Sequence, residues 1–410
     1  MIRKLSILTG AALFSLLTAM AQKEPADYVN PFVGTTNYGT TNPGALCPQG
    51  MMSVTPLNVL GAVPENKINK DSTWWSTPYE FNNKYMTGFA HVNLSGVGCP
   101  ELGSLLLMPT TGKLNVDFNT YGSVYSNESA TPGYYTNVLD KYNVKCEVTA
   151  TPRTSMARFT FPAGQSNILL NLGEGLTNES GATVRFVNDR EIEGTKLLGT
   201  FCYNPQAVFP IYFVMRINKV PAKRGYWKMM RPMGVEAQWD DTAGKYKLYT
   251  SYTKEMSGDD VGAWFTFDST VSETIEVSMG VSFVSIENAR LNLEKEQPFG
   301  TTFDKLRAEA RKMWNDDLSR VTVKGGTEEQ KGVFYTAMYH TLIHPNILQD
   351  VSGQYPQMEG DKILTTNRNR YTVFSLWDTY RNVHQLMTLV YPERQMDMTR
   401  QNILKCHPCF

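Results

Sequence analysis

A change of hydrophobic period part-way along the chain is the feature that most constrains its fold. From about residue 120 to residue 285, short runs rich in β-branched and aromatic residues alternate with polar positions and are cut by Pro and Gly turns. Successive side chains of a strand point to opposite faces, so this alternation predicts antiparallel strands. From Phe303 onward, apolar residues recur every three or four positions, which predicts amphipathic helices. The sequence therefore predicts a sheet domain followed by a helical array.

The strand pattern favours two packed antiparallel sheets, a β-sandwich, because so many short strands recur at this spacing. The clearest runs are 104–108, 145–151, 155–161, 167–172, 207–220, 262–267 and 274–284. Helices are predicted at Phe303–Leu318, from Thr327 to about His344, around 386–390 and at 394–404. Thr327 and Gln330 have the spacing of a capping box, which marks the start of the second helix.

The N-terminus has the pattern of a secretory signal peptide. Arg3 and Lys4 precede a short apolar run at 7–17, and residues 19–21 form an A-x-A cleavage site. No second long apolar run follows, so we predict a secreted or periplasmic protein with no integral membrane segment once the signal is removed. The predicted organisation is a signal peptide at 1–21, a β-sandwich domain at 22–300, a linker helix and connection at 301–326, and the start of a helical domain at 327–410.

Composition excludes a nucleic-acid partner and does not determine how the cysteines pair. The formal net charge is zero and no basic stripe or charge run is present, so no nucleic-acid partner is predicted. The six cysteines are widely and irregularly spaced, and no disulfide pairing is predicted from them. The C-x-x-C at 406–409 has no matching pair elsewhere, which makes it a weak indication of zinc or redox chemistry.

Residues 371–381, Tyr-Thr-Val-Phe-Ser-Leu-Trp-Asp-Thr-Tyr-Arg, form the most distinctive string in the chain. Trp377 beside Asp378 suits a sugar, because the C–H face of a sugar stacks on a ring while its hydroxyls donate to a carboxylate. The alternative is a helix start with Ser375 as N-cap, Asp378 in the first turn and Trp377 in the core. Both interpretations are compatible with the string, since one helix N-terminus can serve both.

Other polar groups give weaker signals. His340 and His344 have the four-residue spacing that can hold a metal on a helix face, but no third ligand is evident, so core or capping roles are favoured. Asp350, Ser352 and Gly353 have a faint likeness to a calcium loop, but the spacing does not fit an EF-hand. His91 precedes a glycine-rich turn, and a lone His is more often structural than catalytic.

Several strings together are similar to glycoside hydrolase family 92, the exo-acting α-mannosidases. They are Asp-Tyr-Val-Asn-Pro-Phe-Val-Gly at 27–34, Pro-Gly-Ala at 43–45, the segment 91–99, Leu-Leu-Leu-Met-Pro at 105–109, and 371–381. The resemblance implies a β + α multidomain fold, in which an N-terminal antiparallel β-sandwich is followed by the first helices of an (α/α)6 barrel, with the active site between them. It also implies hydrolysis of mannose-containing glycans with inversion and with help from Ca²⁺.

The resemblance places Trp377 and Asp378 in the subsite for the terminal mannose, with Gly44, His91 and Cys99 contributing from the sandwich side. It implies that the general acid, the base and most calcium ligands lie beyond position 410. No catalytic residue or metal ligand is therefore assigned within the chain.

Two departures from the family pattern leave the linkage specificity open. The first loop, at 36–42, lacks the usual His, and Gly103-Ser104 replaces the usual Gly-Asp.

Two hypotheses follow for the function. The first is the N-terminal part of an exported α-mannosidase that lacks the catalytic machinery on its own. The alternative is a secreted carbohydrate-binding β-sandwich protein without hydrolase activity.

Overall fold

The structure is a computed structural model that describes residues 23–36, 39–61, 76–96, 98, 101–176, 181–199, 208–229, 246–358, 360–372, 374 and 376–405. The predicted signal peptide, Cys99 and the C-x-x-C motif lie outside the described residues. Within the described part of the chain, none of the helices is long and apolar enough to span a bilayer.

The strands, numbered in chain order, are β1 Ala45–Leu46, β2 Ser53–Pro56, β3 Tyr85–Met86, β4 Phe89–Asn93, β5 Leu102–Thr111, β6 Ser123–Thr131, β7 Tyr134–Leu139, β8 Val144–Ala150, β9 Thr154–Phe161, β10 Gly164–Asn171, β11 Ala182–Asn188, β12 Glu191–Gly199, β13 Val208–Ile217, β14 Lys223–Met229, β15 Tyr246–Tyr249, β16 Met256–Gly258, β17 Val261–Ser269, β18 Glu273–Ser282, β19 Gln354–Pro356 and β20 Ile363–Thr365. The helices are a 3₁₀ helix at Pro25–Tyr28 and the α-helices α1 Phe118–Tyr121, α2 Ile286–Glu296, α3 Phe303–Leu318, α4 Glu328–His340, α5 Leu376–Thr379, α6 Val383–Val390 and α7 Pro392–Lys405.

Two large antiparallel sheets share one hydrophobic core. One sheet has the order β1-β2-β4-β5-β10-β17-β14-β15, and the other has the order β16-β11-β12-β13-β18-β9-β8-β7-β6-β3. Their facing sides meet through aromatic contacts, such as Phe89 of β4 with Phe159 of β9 at 6.2 Å between ring centroids. Each strand predicted from the alternating pattern overlaps an observed strand. The prediction of an antiparallel sheet domain followed by helices is therefore confirmed, whereas the (α/α)6 barrel remains a prediction.

Strand β18 illustrates how the alternation builds the core. Its apolar positions, Ile275, Val277, Met279 and Val281, are all buried. Glu276 lies between two of them and is only partly buried. The apolar set lies on one face because side chains of a strand alternate in direction.

Helix α2 was not predicted, although the sequence carries its signal. The side chain of Ser285 caps the helix by accepting a hydrogen bond from the Asn288 amide at 3.1 Å. Ala289 and Leu293 form an apolar stripe that is buried against Val214 of β13. The mostly polar composition of the helix conceals this narrow stripe in the sequence.

Helix α3 packs on the sheet domain as well as on the helices. Gly133, in the turn between β6 and β7, has φ +81°, and a Cβ added there would lie 2.8 Å from the Cβ of Ala310. Phe303 and Leu306 are buried against Tyr134 and Met156 of the sheet. The predicted boundaries of a linker at 301–326 stay a prediction.

Helix α4 begins as predicted and ends earlier than predicted. The capping box is present, because Thr327 accepts from the Gln330 amide and the Gln330 side chain accepts from the Thr327 amide. The helix ends at His340, and a cis peptide bond joins His344 to Pro345. His344 therefore lies outside the helix, and the prediction that the two histidines share one helical face is wrong.

The helices have a second core of their own. Trp314 of α3 is fully buried at its centre, and its indole N–H donates to the Leu46 carbonyl of β1 at 2.7 Å. Val29, which follows the 3₁₀ helix, and Leu46 of strand β1 also contribute to this core. The second core thus joins the first residues of the sheet domain to the helices.

Candidate active site

The Trp377 segment is held in place by a short antiparallel pairing between 346–349 and 369–372. Ile347 and Tyr371 form a β-bridge. On either side, the Leu348 amide donates to the Arg370 carbonyl at 2.6 Å and the Thr372 amide donates to the Asn346 carbonyl at 2.8 Å. We call this pairing the bridge ladder. It leads directly into α5, which carries Trp377 and Asp378.

The bridge ladder is bonded on its other side to the sheet domain. The Ile347 amide donates to the Gln49 carbonyl at 2.8 Å, and the Asn346 side chain donates to the Gly50 carbonyl at 2.7 Å. The Gln49 amide donates in turn to the Leu342 carbonyl at 2.6 Å. Residues 346–349 are therefore bonded on one side to the loop at Gln49 and Gly50, which follows β1, and on the other side to residues 369–372, which precede α5.

Trp377 and Asp378 both lie at the surface. Trp377 is 79% exposed, and Asp378 is also exposed. Trp377 is therefore not part of the core that the described residues form. The proposed N-cap, Ser375, lies outside the described residues. The exposed ring and carboxylate are free to contact a ligand, as a sugar subsite requires.

A histidine that sequence reasoning did not single out supports α5. The Nε2 of His384 lies 2.8 Å from the Thr379 hydroxyl, and its Nδ1 lies 3.1 Å from the Gln395 side-chain oxygen. The His384 ring also contacts Phe374 at 5.6 Å between centroids. These contacts fix the short helix against α6 and α7. The only signal for them in the sequence was closeness to the Trp-Asp pair.

Gly44 is required by close packing beneath the first loop. It is buried, and a Cβ there would lie 2.5 Å from the Val54 carbonyl oxygen and 2.7 Å from the Thr55 Cβ. Its amide donates to the Asn42 side chain, and the Asn42 amide group donates to Ser95 at 3.2 Å. The glycine therefore lets the loop lie directly on β2, and its predicted part in the subsite stays a prediction.

His91 lies within the sheet rather than at its surface. It is 1% exposed, and its Nδ1 lies 2.8 Å from the Leu105 carbonyl oxygen. Burial lowers the pKa of His91 to about 4, so the ring is neutral near pH 7. Its cross-strand partner is Val54, the residue against which Gly44 packs. His91 and Gly44 therefore both adjoin Val54, and the predicted contributions of His91 and Cys99 to the sugar subsite stay predictions.

The described cysteines have no catalytic character. Cys47 and Cys146 are free and fully buried. Burial raises the pKa of both thiols above its ordinary value, which keeps them protonated.

The described residues do not fit a calcium ion. Among them, no three His, Cys, Asp or Glu side chains form a group that could hold a metal. Ca²⁺ takes about six to eight oxygen ligands, and the Asp350 carboxylate is already engaged by the side chains of Ser282, Asn288 and Asn292. Burial lowers the pKa of His340, and its Nε2 has no hydrogen-bond partner within the described part of the chain. No residue of the described chain is therefore assigned to Ca²⁺.

Comparison with known families covers both parts of the chain. The sequence model of the glycosyl hydrolase family 92 N-terminal domain matches residues 28–282, and that of the family 92 catalytic domain matches residues 288–407. The chain belongs to glycosyl hydrolase family 92. The resemblance found in the sequence strings is thereby confirmed, and with it the assignment to the glycoside hydrolases.

Solved family 92 structures share this fold. A family 92 α-mannosidase from Bacteroides thetaiotaomicron is 30% identical, with a TM-score of 0.79 over 92% of this chain and 49% of its own. The same α-mannosidase has also been solved in complex with mannoimidazole. Another family 92 glycosyl hydrolase is 25% identical, with a TM-score of 0.76 over 92% of this chain and 48% of its own.

The description of a curated relative agrees with the family assignment. An uncharacterised secreted glycosidase from Arthroderma benhamiae is 25% identical over 401 residues, which are 92% of this chain and 48% of that protein. The chain thus spans about half the length of the family 92 relatives that it matches.

Proposed function

We propose that the whole protein is a secreted, exo-acting α-mannosidase that removes terminal α-linked mannose from glycans. The observation that carries the proposal is the likeness to the Bacteroides α-mannosidase, which extends over 92% of this chain at 30% identity. The complex of that enzyme with mannoimidazole supports a mannose-type ligand. Secretion is supported by the signal pattern at 1–21 and by the description of the curated relative as secreted.

In this proposal the Trp377 ring stacks on the C–H face of the terminal mannose. Asp378, beside it, accepts hydrogen bonds from the sugar hydroxyls. The exposure of both side chains on α5 supports these roles. Gly44, His91 and Cys99 are proposed to contribute to the subsite from the sheet domain, as the family resemblance implies.

The chemical step is proposed from the family resemblance to be an inverting hydrolysis. Inversion needs a general acid on the leaving oxygen and a general base that activates water on the opposite face, with room between them for that water. Neither group is assigned among the described residues. The residues named in this proposal would therefore bind and orient mannose, and the acid and base are left unassigned.

The test is mannose release by the whole protein from an α-linked mannobiose, with a β-linked mannobiose as the matched control. We expect release from the α-linked substrate alone. Because the mechanism is inverting, ¹H NMR should detect β-mannose as the first product. Chelation with EDTA should abolish release if the family dependence on Ca²⁺ holds.

Two outcomes would decide against the proposal. Binding of mannosides without any release would favour the alternative of a carbohydrate-binding protein. The match to the family catalytic domain over 288–407 favours an enzyme instead. α-Mannose as the first product would contradict inversion while leaving mannosidase activity intact.

A further inference from the structure

Asp350 is a buried carboxylate that the proposed mannose subsite does not use. The residue is 1% exposed, although it lies in a loop between α4 and β19. Its oxygens accept hydrogen bonds from Ser282 at 2.6 Å, from Asn288 at 2.9 Å and from Asn292 at 2.6 Å. A buried carboxylate is costly unless such donors satisfy it, so this arrangement is specific rather than incidental.

The three donors come from the place where the sheet domain passes into α2. Ser282 is the last residue of β18, and Asn288 and Asn292 lie one turn apart on one face of α2. Asn292 also donates to the Val281 carbonyl at 2.8 Å and accepts from the Val351 amide at 2.9 Å. The loop around Asp350 is thus bonded to the sheet domain by side chain and by backbone.

A second anchor holds the neighbouring residue, Gln349. The Arg153 guanidinium, from the turn between β8 and β9, donates to the Gln349 carbonyl at 2.7 Å. Arg153 is itself held by an ion pair of 2.8 Å with Glu296 at the end of α2. Both sides of this ion pair are mostly buried, so it is shielded from solvent.

From Gln349 the contacts continue to the Trp377 segment. The Gln349 side chain accepts from the Arg370 amide at 2.8 Å and donates to Asn369 at 3.1 Å. These bonds extend the bridge ladder, which leads into α5. Hydrogen bonds therefore hold Asp350 to the end of β18 and to α2, and hold the adjacent Gln349 to residues 369–370, which precede the segment that carries Trp377 and Asp378.

We propose that Asp350 is a positioning residue that fixes the Trp377–Asp378 segment relative to the sheet domain. The inference rests on the proposed function, because it assigns Asp350 a part in placing the mannose subsite without touching the sugar. A displacement of about 1 Å at a binding or catalytic group can cost about a hundredfold in rate, so such an anchor has a functional consequence.

The test is Asp350→Asn in the whole protein, with Asp361→Asn as the matched control. The substitution keeps the shape of the side chain, but in either orientation its N–H₂ lies opposite the side-chain N–H₂ of Asn288 or of Asn292, so two donors face each other. We expect kcat/KM for the α-linked mannobiose to fall by about tenfold or more, measured well below the unfolding temperature. Asp361 is exposed in the connection between β19 and β20, and its substitution should leave kcat/KM unchanged.

A rescue variant separates positioning from loss of stability. In the double variant Asp350→Asn/Asn288→Asp the amide and the carboxylate exchange places, so one side chain again donates to the other across the same contact, while Asn292 keeps its hydrogen bond to the Val281 carbonyl. We expect this double variant to recover part of the lost kcat/KM. A value for Asp350→Asn within about twofold of the wild type, or no recovery in the double variant, would overturn the inference.

Hydrogen exchange at backbone amides gives a readout that does not depend on activity. It tests the positioning role of Asp350 even if Asp350→Asn fails to fold or the wild type releases no mannose. Ser282→Ala removes one donor and keeps the carboxylate. We expect amides 369–372 to exchange at least about tenfold faster in the folded variants, while β10 and β17 keep their protection. Absence of mannose release by the wild type would refute the proposed function alone, whereas unchanged exchange at 369–372 would refute the role of Asp350.

Discussion

Trp377 is a large aromatic side chain that lies at the surface, beside the exposed acidic residue Asp378. A large aromatic ring that is 79% exposed contributes little to the stability of this chain, and the proposed contact with a sugar would account for its position beside an acidic residue. Substitutions on such a surface usually change the free energy of unfolding by less than about 0.5 kcal/mol. Function and stability can therefore be separated at this position.

We predict that Trp377→Ala and Asp378→Asn weaken mannose-type binding without destabilising the protein. Loss of hydrogen bonds to a charged group costs about 1.5–3 kcal/mol, so Asp378→Asn should weaken binding of mannoimidazole by about ten- to a hundredfold. Trp377→Ala should cost about tenfold through loss of stacking. Calorimetric titration of the whole protein measures both affinities. Leu389→Ala, which truncates another exposed apolar side chain, is the control and should bind as the wild type does.

His91 gives the sheet domain a defined dependence on pH. Burial lowers its pKa from 6.5 to about 4, so the unfolded chain takes up a proton in this range that the folded chain does not. The stability that neutral His91 contributes is therefore complete above pH 6.5 and is lost as the pH falls toward 4. The loss amounts to about 3 kcal/mol over that window.

We predict that His91→Gln flattens the pH dependence of stability between about pH 4 and pH 6.5. Urea unfolding at several pH values measures it, and the difference between wild type and variant removes the contribution of His340, whose pKa burial also lowers. The diagnostic quantity is the slope of the unfolding free energy with pH, whatever constant loss of stability the substitution adds. Equal slopes would contradict the assignment of this titration to His91.

At the scale of elements, the capping residues predicted the start of α4 correctly, whereas the apolar spacing predicted its end too late. Thr327 and Gln330 predicted the start of α4, and the structure confirms it because the capping box needs only neighbouring residues. The end at His340 was missed, because the apolar pattern continues past it into Leu342 and Ile343, which are buried in the second core although they lie outside the helix.

We predict that Thr327→Ala lowers the free energy of unfolding of the helical part by about 1 kcal/mol. The change leaves the Gln330 amide without its side-chain acceptor at the helix N-terminus. Urea unfolding followed by circular dichroism measures the loss, and Thr327→Ser should retain most of the stability because it keeps the hydroxyl. Thr322→Ala, at an exposed site before the helix, is the control.

At the scale of the whole molecule, the two cores differ in how well they are covered. The sheet core is enclosed between two sheets, whereas the last helices expose several large apolar side chains. These are Leu376, Trp377, Tyr380, Leu389 and Met396. Segments whose apolar side chains make few buried contacts open locally at a lower free-energy cost.

We therefore predict that chymotrypsin cuts the 410-residue chain first within 376–405. The strands of the sheet core should persist as a resistant fragment, which mass spectrometry of the early products identifies. A first cleavage within 101–176, where strands β5 to β10 lie, would contradict this order of local stability.

The sequence by itself determined the features that depend on neighbouring residues. Alternation specified the strands and three-to-four spacing specified α3, whereas the sugar-binding interpretation of the Trp377-Asp378 pair stays a prediction. These features depend on local backbone geometry and side-chain direction, which the order of residues encodes directly.

Only the tertiary structure decided which of those residues face water and which distant residues meet. His91 lies before a glycine-rich turn and Trp377 lies beside Asp378, and neither pattern reveals that one side chain is 1% exposed and the other 79% exposed. Ser282 and Asp350 are 68 positions apart, and their 2.6 Å hydrogen bond exists because β18, α2 and the loop before β19 pack together. Such contacts depend on how whole elements pack, and no local pattern in the sequence encodes that packing.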